Sequence, residues 1–204
     1  PVLDRVLASA NVTDRGLVCA PVDAAGRSRL DEMRMHSWAE IHQMGRALAG
    51  GLQAAGVAPG DAVAVLAGAP LEVAPLVQAI WMSGASVTMV HHPTGRSDPT
   101  AWAADTADVL SSIGASTLVV GSPFEAAFED FRTDTGLRCL RLEELAGAAV
   151  GHVAIPDESQ VAFLQLTSGS TGRPRAVTIS YRNIDANMRA ELHQAQPGVT
   201  PSFF

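Results

Sequence analysis

Residues 62–90 constrain the fold of this chain of 204 residues more than any other stretch, because Glu72 is their only formally charged residue. A run this long and apolar could span a membrane. Four residues that favour turns or helix starts interrupt it: Gly68, Pro70, Pro75 and Gly84. The resulting pieces have the lengths of a strand, a helix and a second strand. The run therefore predicts a buried strand–helix–strand unit rather than a membrane span.

The same alternation continues on both sides of this unit. Ser37 and Glu40 form a capping-box pattern at the start of a helix that Gly56 ends. Further helices are predicted at residues 71–83, 98–113 and 123–131. Strands are predicted at residues 16–22, 27–35, 62–67, 86–90, 117–120, 137–142, 160–166 and 176–179.

Strands that alternate with helices of this length indicate βαβ units. We therefore expect an α/β fold, in which a mostly parallel sheet carries helices on both faces. Residues 147–158 form a looser connector that contains Pro156. This connector predicts two units, an α/β subdomain over residues 1–150 and the start of a second subdomain over residues 151–204.

Composition excludes several classes of function. The net charge is −7 and the pI is near 5.3, which argues against nucleic acid or an anionic membrane as a partner. All 14 basic residues are arginine, so no lysine can act as a base or form a Schiff base. Cys19 and Cys139 have no metal-binding or redox spacing. With no signal peptide at the start, we expect reduced thiols in a cytoplasmic protein.

Two other groups of residues have less specific interpretations. His91 and His92 follow a predicted strand, where they could face a ligand or belong to a polar loop. Three tryptophans fall on predicted helices, where we expect them to pack in the core or between subdomains: Trp38, Trp81 and Trp102.

The most informative segment follows the strand predicted at residues 160–166. It supplies hydroxyl groups, two glycines and an arginine, and its candidate phosphate-binding residues are Thr167, Ser168, Gly169, Ser170, Thr171, Gly172 and Arg175. Glycines allow main-chain N–H groups to converge on an anion, and hydroxyl groups add further donors. The guanidinium group of Arg175 carries a permanent charge and suits phosphate oxygens.

Two alternatives to phosphate binding exist for this segment. It is not a Walker A loop, because that loop requires a lysine after its second glycine. A solvent-exposed Ser/Gly linker is the other alternative. Residues 163–166 and 176–179 both have the pattern of buried strands, and Ser180 is placed to cap a following helix. Strands on both sides would hold the segment rigidly, which favours phosphate binding over a linker.

Residues 164–177, continuing through Ser180 to Ile184, resemble the signature loop of the adenylate-forming superfamily. Residues 38–41, 56–64 and 79–85 resemble other parts of the same domain, so the resemblance extends from about residue 16 to about residue 187. Gln165 and Ser170 are most similar to the fatty acyl-AMP ligases of actinobacteria. The expected fold is therefore the first part of the large N-terminal domain of such an enzyme.

The resemblance implies an activity. Such enzymes use ATP and Mg²⁺ to convert a carboxylic acid, here a fatty acid, into an acyl-adenylate with release of pyrophosphate. The acyl group then passes to a thiol of an acyl carrier protein, a polyketide synthase or coenzyme A. The loop would hold the β- and γ-phosphates, and Thr171 is a candidate Mg²⁺ ligand. We therefore predict a ligase of fatty acid metabolism.

The resemblance is not complete. Arg175 replaces the usual lysine, Ala176 the usual glycine and Tyr181 the usual histidine. The family's acyl pocket, nucleoside contacts and catalytic lysine belong to segments that would follow Phe204. No catalytic residue is therefore assigned, and we expect these 204 residues alone to be inactive. Two alternatives stay open: part of an amino-acid adenylation domain of a peptide synthetase, and a non-enzymatic binding module.

Overall fold

The computed structural model describes residues 2–9, 14–21, 28–93, 98–146, 153–167 and 175–194. Its helices are α1 (Val2–Ser9), α2 (Trp38–Ala54), α3 (Pro70–Met82), α4 (Pro99–Ser112), α5 (Phe128–Asp134), α6 (Leu142–Leu145) and α7 (Tyr181–Gln194). Its strands are β1 (Gly16–Cys19), β2 (Arg34–Ser37), β3 (Ala62–Leu66), β4 (Ser86–Met89), β5 (Ala115–Val120), β6 (Arg138–Arg141), β7 (Val161–Thr167) and β8 (Arg175–Ser180).

Six of the strands form one sheet in the order β6-β5-β3-β4-β7-β8. Neighbouring strands from β6 to β7 are parallel, whereas β8 runs antiparallel to β7 at the edge. Helices connect the parallel strands, as parallel pairing requires. The prediction of an α/β fold with a mostly parallel sheet is confirmed.

Strand β3 lies at the centre of the sheet and is buried along its whole length. Its side chains alternate between two core clusters, because successive residues of a strand point to opposite faces. Val63 and Val65 pack on the face covered by α2 and α3. Ala64 and Leu66 pack on the face covered by α4 and α5. Helices therefore cover both faces, as predicted, and residues 62–90 contain the predicted strand–helix–strand unit, β3, α3 and β4.

The helix starts and stops predicted from local capping residues are confirmed. The hydroxyl group of Ser37 accepts from the main-chain N–H of Glu40, and the Glu40 carboxylate accepts from that of Ser37. Asp98 caps α4 by accepting from the N–H of Ala101 at 2.8 Å. Gly56 follows the end of α2 with φ +89°, in the left-handed region where glycine is favoured.

The prediction for the β1–β2 ribbon was wrong in part. The second strand was expected over residues 27–35, but the chain forms a 3-10 turn at Leu30–Glu32 and only then enters β2. The apolar residues that suggested a strand are exposed here, Leu30 by 68% and Met33 by 56%. No core therefore holds this part in an extended form. The turn expected between the strands at residues 23–26 lies outside the described residues.

Two predicted elements after β5 have different boundaries in the structure. Residues 123–131 were expected to form one short helix, and they form a 3-10 turn at Glu125–Ala127 before α5 begins. The strand predicted over residues 137–142 ends one residue early, because Leu142 begins α6. Its side chain is buried with that of Leu145 against α2, and this packing favours a helical turn over a longer strand.

Candidate phosphate-binding site

The carboxyl ends of the parallel strands meet at one edge of the sheet, where open α/β sheets bind ligands. The segments that follow β3 and β5 are joined there by hydrogen bonds. The main-chain N–H of Gly68 donates to the carbonyl oxygen of Ser122 at 2.7 Å, and that of Ala69 donates to the same oxygen at 3.3 Å. Because β7 is parallel to β4, Thr167 at its carboxyl end lies at this same edge.

Thr167 and Arg175 mark the two ends of the candidate phosphate-binding segment. They are directly opposite each other in the β7–β8 register. The hydroxyl group of Thr167 donates to the main-chain oxygen of Arg175 at 3.2 Å. Both residues are exposed. Within the described part of the chain, the guanidinium group of Arg175 forms no ion pair.

The other candidate residues lie outside the described residues: Ser168, Gly169, Ser170, Thr171 and Gly172. This set includes Thr171, the candidate Mg²⁺ ligand. Their assignment to phosphate and metal binding stays a prediction. Where the structure is described, no group of three or more His, Cys, Asp or Glu side chains is arranged to hold a metal ion.

The expectation that both flanking strands are buried was wrong. In β7 only Ala162 is fully buried, and no residue of β8 is. Val177 is 50% exposed. The cause is position, since β8 is the edge strand of the sheet. A hairpin with an antiparallel edge strand can leave one face open to solvent.

The chain is nevertheless fixed immediately after β8. The hydroxyl group of Ser180 accepts from the main-chain N–H of Asn183, and the Asn183 side chain accepts from the N–H of Ser180 at 3.0 Å. This reciprocal pair starts α7 and confirms Ser180 as its cap. The ring of Tyr181 is buried beside Val2 and Ala162. The end of β8 and the start of α7 are therefore held against the sheet.

Glu72 is a polar residue of this edge to which sequence analysis gave no role. Its carboxylate accepts from the main-chain N–H of Ser122 at 2.7 Å. Burial raises the pKa of this carboxyl group, the Ser122 hydrogen bond opposes that shift, and the nearby charges of Glu125 and Glu143 reinforce it. The available signal was its position as the only charge in residues 62–90.

His91 and His92 follow β4 at the same edge, and both are exposed. The imidazole of His92 lies against the ring of Phe124, with ring centroids 4.4 Å apart. This contact is consistent with the polar-loop interpretation. None of the helices in the described ranges is both long enough and apolar enough to cross a membrane.

Comparison with known proteins shows the family. The model of the AMP-binding enzyme family matches residues 18–202. The protein Rv1013 of Mycobacterium tuberculosis strain H37Rv, named as a ligase, is 46% identical over 162 residues. That alignment covers 79% of this chain and 29% of Rv1013. The chain thus spans less than a third of this relative.

Two solved structures share the fold. The structure of McyG A-PCP with phenylalanyl-adenylate has a TM-score of 0.79 at 20% identity, over 94% of this chain and 30% of that one. A structure from work on the fatty acyl-adenylate ligases of E. coli and L. pneumophila has a TM-score of 0.77 at 23% identity, over 96% of this chain and 35% of that one.

The fold match confirms the expected likeness to the N-terminal domain of adenylate-forming enzymes. The fatty acyl class and the actinobacterial origin stay predictions, because structural likeness at this identity reports the fold alone. The family match, in contrast, extends over most of the chain. The chain therefore belongs to the AMP-binding enzyme family.

Proposed function

We propose that the protein containing this chain activates a fatty acid with ATP and transfers the acyl group to a thiol. The observation that supports the use of ATP most directly is the pair formed by Thr167 and Arg175, which flanks a Ser/Thr/Gly segment at the carboxyl edge of the sheet in a chain of the AMP-binding enzyme family. The resemblance of Gln165 and Ser170 to the fatty acyl-AMP ligases supports a fatty acid as the substrate.

The donor set fits a polyphosphate. Residues 167–175 contain four hydroxyl groups and two glycines, and Arg175 adds a charged fork of N–H donors that pairs with phosphate oxygens. We propose that this segment binds the β- and γ-phosphates of ATP, with Thr171 as a ligand of Mg²⁺. The cation would offset the negative charge of the phosphate groups.

The reaction takes two steps. A carboxylate oxygen of the fatty acid attacks the α-phosphorus of ATP, and the bond from that phosphorus to the β-phosphate bridging oxygen breaks, releasing pyrophosphate. A thiol sulfur then attacks the acyl carbonyl and AMP leaves. The proposed contribution of Arg175 and the hydroxyl groups is to hold the pyrophosphate portion while it gains negative charge. That is catalysis by position and electrostatics.

The acceptor thiol would belong to an acyl carrier protein, a polyketide synthase or coenzyme A. We propose that the enzyme acts in the cytoplasm, which the free thiols of Cys19 and Cys139 support. The division into subdomains 1–150 and 151–204 is likewise a proposal.

Exchange of labelled pyrophosphate into ATP tests the substrate class. The intact protein should be assayed with medium- and long-chain fatty acids and, in parallel, with the proteinogenic amino acids. We expect exchange that depends on a fatty acid and on Mg²⁺. Exchange with an amino acid alone would support the peptide-synthetase alternative. No exchange and no ATP binding by calorimetry would support a non-enzymatic module.

A further inference from the structure

Two side chains outside the proposed phosphate-binding segment hold the main chain of β7. The indole N–H of Trp81 donates to the carbonyl oxygen of Ala162 at 3.1 Å. The hydroxyl group of Thr88 donates to the carbonyl oxygen of Leu164 at 3.1 Å. These carbonyl groups are two residues apart in one strand, so both point to the same side of β7, towards β4.

These bonds lie where the sheet has its shortest ladder. Within the described strands, β4 and β7 register at the single pair Val87 and Phe163. The β3–β4 ladder has four pairs and the β7–β8 ladder has six. The two side-chain donors therefore add to the main-chain pairing that holds β7 against β4. Thr88 is completely buried, so its hydrogen bond is shielded from competing water.

Trp81 also contacts both strands' segments at the end of the β7–β8 hairpin that lies away from Thr167 and Arg175. Its ring packs edge-on against Phe163 in β7, with centroids 5.2 Å apart. The same ring packs against Tyr181, which directly follows β8, with centroids 5.9 Å apart. One side chain of α3 thus touches the strand that leads into Thr167 and the residue that follows the strand begun by Arg175.

We propose that Trp81 and Thr88 are positioning residues for ATP. By fixing the carbonyl groups of β7, they set where Thr167 and Arg175 stand relative to the β- and γ-phosphates. The inference rests on the proposed function, because it assigns a role to these residues only if that segment binds ATP. Neither residue is proposed to contact the nucleotide, and both act through β7.

Substitutions that remove the donor and keep the shape test the proposal. Trp81→Phe keeps an aromatic ring but loses the N–H, and Thr88→Val keeps the volume but loses the hydroxyl group. Two matched controls are available. Thr117 in β5 is 1% exposed and, among the described residues, its hydroxyl group has no hydrogen-bond partner. Trp102 in α4 packs edge-on against Phe131 in α5, with ring centroids 5.2 Å apart.

The readouts are the KM for ATP, the KM for the acid and kcat in pyrophosphate exchange by the intact protein, together with the Kd for Mg·ATP from calorimetry. We expect Thr88→Val and Trp81→Phe each to raise the KM and Kd for ATP by roughly three- to tenfold, the effect of one lost neutral hydrogen bond. The KM for the acid should stay within about twofold, as should every parameter of Thr117→Val and Trp102→Phe.

A lower melting temperature with an unchanged KM and Kd for ATP would overturn the proposal, since the residues would then be structural only. If one variant fails to fold, the other decides the question. Failure of the proposed function looks different. In that case the unsubstituted protein itself neither binds Mg·ATP nor catalyses exchange, and both proposals fall together.

Discussion

Thr167 and Arg175 form the last pair of the β7–β8 register before the chain passes from one strand to the other, and the hydroxyl group of Thr167 donates to the main-chain oxygen of Arg175. The bond uses the main chain of Arg175, and within the described ranges its guanidinium group has no ion-pair partner. The main chain at this position is therefore fixed by a bond that does not use the charge. This arrangement suits a residue that must meet a mobile, highly charged ligand.

Replacement of Arg175 tests that separation of roles. We expect Arg175→Ala to weaken ATP binding by about 1.5–3 kcal/mol, the contribution of a charged hydrogen bond, which is roughly a 10- to 150-fold rise in Kd. Calorimetry with Mg·ATP measures it. Arg34→Ala is the matched control, because Arg34 is also exposed on a strand, and it should leave Kd unchanged. An unaltered Kd in Arg175→Ala would contradict the assignment.

His42 makes stability depend on pH. Its side chain is 5% exposed, and its Nδ1 lies 2.7 Å from the side-chain oxygen of Gln78, to which it donates. Burial lowers the pKa of His42, the Gln78 hydrogen bond opposes this shift, and the charge of Arg46 adds to it. The unfolded chain therefore takes up the proton first, and folding free energy is lost as the pH falls below about 6.5.

Urea unfolding at pH 8, 6 and 5 measures this effect. The slope from one such group cannot exceed about 1.4 kcal/mol for each pH unit. The double substitution His42→Leu with Gln78→Leu removes the titrating group without leaving the amide oxygen unpaired, so its profile should be flatter between pH 6.5 and 5. Superimposable profiles for the two proteins would rule out His42 as a source of the dependence.

Glu72 has the opposite dependence on pH. Because burial raises its pKa above the ordinary value of 4.5, the folded chain holds the proton more tightly than the unfolded chain does. Stability from this group is therefore present near pH 4 and is lost as the pH rises through the folded-state pKa. Above that point the ionised carboxylate costs free energy.

We expect Glu72→Gln to raise the free energy of unfolding at pH 7.5 by a few tenths of a kcal/mol, because the amide oxygen can still accept from Ser122. Near pH 4 the difference should disappear. Glu72→Ala should instead destabilise by about 1 kcal/mol through loss of the acceptor. Equal stabilities of the Gln and Ala variants at pH 7.5 would show that the Ser122 bond contributes nothing.

Gly51 allows α2 and α6 to approach closely. A Cβ atom at Gly51 would lie 2.2 Å from the main-chain oxygen of Leu145. Alanine favours a helix over glycine by about 1 kcal/mol, but here the backbone of α6 would have to move, so we expect Gly51→Ala to cost about 1–3 kcal/mol. Gly45→Ala on the same helix meets its nearest atom at 3.2 Å. Thermal unfolding should find it the milder change.

The elements predicted best are those whose signals are local. Ser37 and Glu40 are three residues apart and form the expected capping box. Gly114, which directly follows the helix predicted at residues 98–113, adopts φ +73°. The continuous burial of β3 was likewise predicted from the apolar residues of that strand alone. Such features depend on neighbours in sequence, so a single sequence contains the information that determines them.

The features that were misjudged or missed depend on distant partners. The exposure of Val177 follows from the edge position of β8, which no local pattern specifies. The hydrogen bond that Ser122 donates to Glu72 joins residues 50 positions apart. The bond that Trp81 donates to Ala162 joins residues 81 positions apart. The sequence identified the residue types of the candidate site. Only the fold shows that Thr167 and Arg175 lie opposite each other and are joined by a hydrogen bond.

The order of the strands also has a consequence for the nascent chain. β4 is made early but acquires its second neighbour only when β7 arrives, and the pairing of Val87 with Phe163 closes a long loop. Non-local pairings of this kind form slowly. Until residues beyond 160 leave the ribosome, the main-chain edge of β4 stays unpaired beside an apolar core, in the state that favours association between chains. Translation speed over residues 90–160 should therefore influence the yield of folded protein.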